Sequence, residues 1–122
     1  MKSRQEIKRE YKERKKPAGI FQVKNIRNGK VLLGSSLNLE GALNRHRFEL
    51  EVGSHRSKEL QRDWNELGAD AFVFEILEEV KVRDVPHFDL GDELTLLEQI
   101  WIEELQPFGE RGYNTEPKIR QA

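Results

Sequence analysis

Gly19-Ile20-Phe21-Gln22-Val23-Lys24 and Lys30-Val31-Leu32-Leu33-Gly34-Ser35, with Asn28-Gly29 between them, decide the fold of this chain. Both runs are short and rich in branched and aromatic side chains, the composition of strands. Asn28 and Gly29 tolerate the positive φ of a tight connection, so an antiparallel hairpin is predicted. Further on, Ala71-Phe72-Val73-Phe74-Glu75-Ile76-Leu77 alternates Phe72, Phe74 and Ile76 with Val73, Glu75 and Leu77, which predicts a third strand.

Helical spacing fills the intervals. Leu39, Ala42, Leu43 and Leu50 fall on one face of a helix predicted over about 39–51, with Asn38 as its cap and Gly53-Ser54 as its break. Leu60, Trp64 and Leu67 predict a helix over about 56–67, stopped by Gly68. Leu94, Leu97, Trp101 and Leu105 predict a longer one over about 92–105, ended by Pro107 and Gly109. Residues 82–91, with Pro86 and Gly91, are expected to be loop. Residues 3–15 have helix-forming composition but only Ile7 and Tyr11 as an apolar stripe, and Lys16-Pro17 ends them. The fold class is α+β: a small antiparallel sheet of three short strands covered by helices. Three parts are expected: a basic helical arm over 1–16, one domain over 17–115 and a polar tail over 116–122.

The 122 residues, 36% hydrophobic and 35% charged, suit one domain with a modest core. No cysteine is present, which excludes disulfides and thiolate metal sites. No apolar run is long enough to cross a bilayer, and no apolar signal region follows the N-terminus, so a cytoplasmic location is expected. The net charge is −1, unevenly spread. Residues 1–16 hold eight basic and three acidic side chains, a local charge of +5, and leave the rest at −6. Lys8, Arg9, Lys12, Lys15 and Lys16 are candidate contacts for a phosphate backbone. Spacings such as Glu6–Arg9 and Glu10–Arg14 equally suit a solvated helix with internal ion pairs.

Gly19-Ile20-Phe21 and Leu32-Leu33-Gly34 are spaced like the two motifs of the GIY-YIG nucleases. Between residues 18 and 115, Asn38-Leu39-Glu40, His46, Gly53-Ser54-His55, Leu60-Gln61, Phe74 to Glu79, Glu98, Trp101-Ile102 and Gly112-Tyr113-Asn114 follow in the family's order. The whole resembles that family, and in particular the catalytic domains of its phage-type homing endonucleases. The resemblance implies a three-stranded antiparallel sheet with flanking helices and a site built from two motif tyrosines, a helical arginine, a glutamate and an asparagine. It implies further that the glutamate binds one divalent metal, magnesium or manganese, that the first tyrosine helps activate water, and that the arginine steadies the phosphate. Double-stranded DNA is the partner it implies.

Carried over position by position, the first tyrosine is Phe21, the second is Leu32 and the arginine is Ala42. Glu98 and Asn114 match, and His46 and His55 fall where some members carry histidine. Cutting a phosphodiester needs an activated oxygen nucleophile, charge neutralisation at phosphorus and help for the leaving oxygen. Phe21 moves no proton and Ala42 grips no phosphate. Arg45, one turn after Ala42, is the candidate substitute for the arginine, and His46 or His55 for the proton-transfer group.

Each of these residues has a plainer reading. Glu98 shares a roughly 60° sector with Leu94, Trp101 and Leu105. It is either a metal ligand, or the remnant of one, or a carboxylate satisfied by a neighbour. His46, on the Leu39 face, suits a satisfied core histidine. His55 suits a turn residue, or a phosphate site at a helix start. Asn114 suits a tie from the tail to the sheet. Trp64 and Trp101 suit the core. Three functions follow: a catalytically impaired domain that associates with DNA, a working metal-dependent endonuclease with a rebuilt site, or a protein-interaction domain without a nucleic-acid role. No glycine loop for phosphate, serine–histidine signature or dinucleotide fingerprint is present.

Overall fold

The hairpin lies at the heart of a three-stranded antiparallel sheet in a computed structural model that describes residues 16–81 and 85–116. The helix predicted over 3–15 lies outside the described residues, with Lys8, Arg9, Lys12 and Lys15. Strand β1 is Gly19–Asn25, β2 is Val31–Ser36 and β3 is Phe72–Glu79, in the order β2-β1-β3. Phe21 stands opposite Gly34 on one side and Ile76 on the other. The β1–β3 register shifts between Ile20 and Phe21. Beside that irregularity a Cβ on Gly19 would fall inside the van der Waals shell of the Glu78 carbonyl oxygen, so the position accepts no side chain.

Helix α1 is Leu39–Val52, α2 is Lys58–Leu67 and α3 is Leu90–Leu105. The Asn38 carboxamide caps α1 by accepting from Gly41 N–H at 3.1 Å, and Gly53 closes it at φ 81°. Helix α2 starts at Lys58, later than predicted, because the Ser57 hydroxyl accepts from Leu60 N–H and sets the cap there. Helix α3 starts earlier than predicted, at Leu90, because the Asp89 carboxylate accepts from Asp92 N–H.

Alternation along β1 divides the core. Val23, Leu50, Leu60, Trp64, Ala71, Phe72 and Tyr113 form the main cluster between the sheet and helices α1 and α2, with Leu32 and Phe74 packed against it. Leu50 and Leu60 are completely enclosed, each worth about 1.5–3 kcal/mol of burial. Phe21, Leu39 and Ala42 form a second cluster near the mouth of the same face. Helix α3 covers the opposite face, where Gln22, Val31 and Leu77 share a depression with Trp101 and Leu105. Two core expectations are corrected. Leu67 is exposed, because it is the last residue of α2, at the Gly68 cap. Trp101 is only half-buried, its indole Nε1–H donating to Glu78 at 2.8 Å beside the depression. No helix among the described residues is long and apolar enough to cross a membrane.

Candidate active site

A cavity of about 740 Å³ opens beside the edge strand β2. The fold brings Phe21, Leu32, Arg45, His46, His55, Glu98 and Asn114 onto its walls from strands, helices and tail. Ala42 lies behind the wall, buried against Phe21 and Leu39. Lys16 is exposed and is not on these walls.

Phe21 holds the floor. Its ring is 4% exposed and sits 5.3 Å from the His46 imidazole, centroid to centroid. His46 comes from the inner face of α1 and is buried, as a satisfied core histidine should be. Its Nδ1 lies 2.9 Å from Nε2 of His55. His55 is a turn residue and does not open a helix. Its backbone N–H donates to the Gln61 side chain at 3.0 Å, so it is not free to receive a phosphate. Burial is the first cause that lowers the proton affinity of both rings; with the charge of neighbouring His55 next, His46 is brought down to about 4. Nearby Arg45 and Arg56 push in the same direction and Glu49 opposes them.

Asn114 ties the tail to β2, donating to the Leu33 carbonyl at 2.9 Å and accepting from its N–H at 2.8 Å. Next to it Tyr113 brings a phenol to the wall, but the hydroxyl is committed. It donates to Asp63 at 2.7 Å and accepts from the Asn25 carboxamide at 3.0 Å. Burial, then the bond to Asp63, raises its pKa to about 12.

The walls also carry cations that the sequence pattern does not single out. Arg56 and Lys58 flank the Ser57 cap and join Arg45 on the cavity. Nothing in the sequence separates them from solvated charge at a helix start, and only their position beside His55 does so. Arg45 is two-thirds exposed and pairs loosely with Glu49 at 3.5 Å. Of the carboxylates on the walls, Glu59 pairs with Lys30, whereas Glu98 makes no ion pair among the described residues. No three histidine, aspartate or glutamate side chains among the described residues are grouped to hold a metal ion. Glu98, half-buried and outside any ion pair among the described residues, offers one oxygen ligand, which fits a hard divalent ion that keeps most of its water and borrows phosphate oxygens.

No family model matches the sequence. The intron-associated endonuclease 1 of Enterobacteria phage T4 is 38% identical over 97 residues, which cover 80% of this chain and 36% of that protein. The chain thus spans about a third of that relative's length. The catalytic domain of the homing endonuclease I-TevI is 38% identical and superposes with a TM-score of 0.67, covering 82% of this chain and 99% of that domain. A mutant of the same catalytic domain gives 0.65 at 37% identity, over 80% and 92% of the two chains. In sequence, sheet order and flanking helices, the chain belongs to the GIY-YIG nuclease family, as a domain like those of its homing endonucleases.

Proposed function

We propose that this domain has lost most of the strand-cleaving chemistry of its family and holds DNA through the cavity beside β2. The observation that carries the reading is the Phe21 ring on the cavity floor, against His46, where the family's motif calls for a phenol. Behind it, Ala42 is packed into an apolar cluster where the motif calls for an arginine. Loss of a proton-transfer group costs about 10²–10⁴ in rate, and loss of a preorganised donor about 10²–10³. Tyr113 does not replace the phenol, because its hydroxyl is held by Asp63 and Asn25 and gives up its proton only near 12.

Arg45, Arg56 and Lys58 support the binding half of the proposal. Three phosphate contacts imply that affinity for a DNA duplex falls roughly 40-fold between about 50 and about 200 mM salt, and further if the basic arm takes part. Fluorescence anisotropy with a labelled duplex tests this. Binding that ignores salt, or no binding, leaves the protein-interaction reading instead.

GIY-YIG endonucleases generally depend on a divalent metal. Glu98 is the residue that would hold magnesium or manganese, and a bound ion would supply charge neutralisation at the phosphate and the leaving oxygen. Asn114 keeps β2 and the cavity wall in register, and Arg45 would steady a phosphate from α1.

A second reading, a working nuclease with a rebuilt site, is favoured by one observation: Arg45 and Glu98 face the same cavity. Plasmid nicking with manganese decides between the two. We expect at most trace activity. Robust scission that disappears in Glu98→Ala would overturn the impaired reading.

A further inference from the structure

The two histidines of the cavity are joined in a fixed direction. Ser57 N–H donates to His55 Nδ1 at 2.9 Å. A backbone amide can only donate, so this nitrogen keeps its lone pair and neutral His55 carries its proton on Nε2. That nitrogen is 2.9 Å from His46 Nδ1 and donates to it. His46 must then carry its own proton on Nε2. Reversing the order would set two N–H groups against each other at Ser57. The anchor is rigid, since His55 N–H donates to Gln61, whose Nε2 donates to the Leu50 carbonyl at 3.0 Å. Both rings are neutral near pH 7, because burial lowers their proton affinity. Among the described residues no side-chain or backbone group bonds His46 Nε2, and His46 lines the cavity, so this N–H is the group the ring has left to offer there.

We propose that His55 is a positioning residue, and that it fixes His46 as a neutral N–H donor aimed at a phosphodiester oxygen held by Arg45, Arg56 and Lys58. For its ligand this rests on the DNA-holding function proposed above. The arrangement has a chemical consequence. The only lone pair of neutral His46 is occupied by His55, so His46 cannot take a proton from water while the chain of bonds is intact. It binds an anion and does not stand in for the missing phenol.

Long-range ¹H–¹⁵N NMR on the full chain at pH 7 reads the tautomers directly. Both rings should show Nε2–H, and titration with inorganic phosphate should shift His46 Nε2 while leaving His55 Nδ1 bonded to Ser57. In His55→Ala, His46 should become a mixture of tautomers, and phosphate affinity should drop about three- to tenfold, the loss expected of one oriented hydrogen bond. A His46 that carries its proton on Nδ1, a charged His46 at pH 7, or phosphate that leaves His46 unmoved would each overturn the proposal. If His55→Ala fails to fold, the tautomers of the unmodified chain still decide. A separate duplex titration tests the DNA reading, so failure there with an intact phosphate response sinks the function and spares the relay.

Discussion

The tip of the Phe21 ring lies directly over Gly34, its cross-strand partner: a Cβ placed on Gly34 would be 2.6 Å from Phe21 Cζ. The motif glycine of β2 is thus a packing requirement of the motif ring of β1. Gly34→Ala should push the ring toward His46 and cost about 1–3 kcal/mol. Urea denaturation measures the loss, and changed ring-current shifts at His46 report the displacement. Phe21→Leu removes the ring tip, so combining it with Gly34→Ala should cost less than the sum of the two single changes. Strict additivity would mean that the two positions do not touch.

Asn114 treats β2 as if it were its own neighbouring strand, pairing with both backbone groups of Leu33. An edge strand otherwise leaves such groups to water. Asn114→Ala should destabilise by about 1–3 kcal/mol, and Asn114→Asp comparably or more, since it turns a carboxylate toward a carbonyl. Hydrogen exchange at Leu33 should rise in both variants, which distinguishes a local tie from a general weakening.

Much of this was legible in the sequence, and the exceptions have physical causes. The hairpin, the Asn38 cap and the alternation of β3 are local properties, set by turn chemistry and period. The start of α2 is not fixed by residue type, because Arg56 suits a helix as well as a turn, and only the Ser57 hydroxyl's bond to Leu60 N–H decides. Trp101 has the right spacing for a core residue, but spacing does not say that it borders an open depression on the sheet and turns its indole N–H to Glu78. At the site, the resemblance pointed to His46 and His55, yet neither their mutual bond nor its direction is written in residue types. Both depend on a turn that brings Ser57 N–H to a ring nitrogen.

Acid should loosen the fold through His46. Its folded pKa, about 4, lies below the ordinary value near 6.5, so the unfolded chain binds the extra proton. The contribution of neutral His46 is therefore whole above about 6.5 and is lost as pH falls toward about 4. His55, Arg45 and Arg56 face the ring and add to the effect, and Glu49 opposes it. Urea midpoints between about pH 7 and pH 4 should fall more steeply for the native chain than for His46→Gln. Parallel curves would refute this.

Alkali should act through Tyr113. The native chain keeps the phenol proton up to about 12, whereas an unfolded tyrosine loses it near 10. The stabilisation is whole below about 10 and drains away as pH rises through about 12. Tyr113→Phe should abolish that pH dependence. At neutral pH it should cost about 1–3 kcal/mol, because the fully buried Asn25 loses the acceptor for its Nδ2.

The proposed loss of cleavage should be reversible. Phe21→Tyr, Leu32→Tyr and Ala42→Arg together restore the three side chains that the family pattern calls for on a scaffold that still carries Glu98, Asn114 and both histidines. The tyrosine at Phe21 should return about 10²–10⁴ in rate and the arginine about 10²–10³, in less than multiplicative combination. Ala42 is the difficult position, since it is buried and a guanidinium there must reach past Phe21 to the cavity. Circular dichroism and urea denaturation therefore accompany the manganese nicking assay. A folded triple variant that nicks plasmid, with the activity removed by Glu98→Ala, would place the deficit of the natural chain in those three side chains. A folded triple variant that stays inert would place it elsewhere in the cavity, and His46, locked as a donor, is the first group to release.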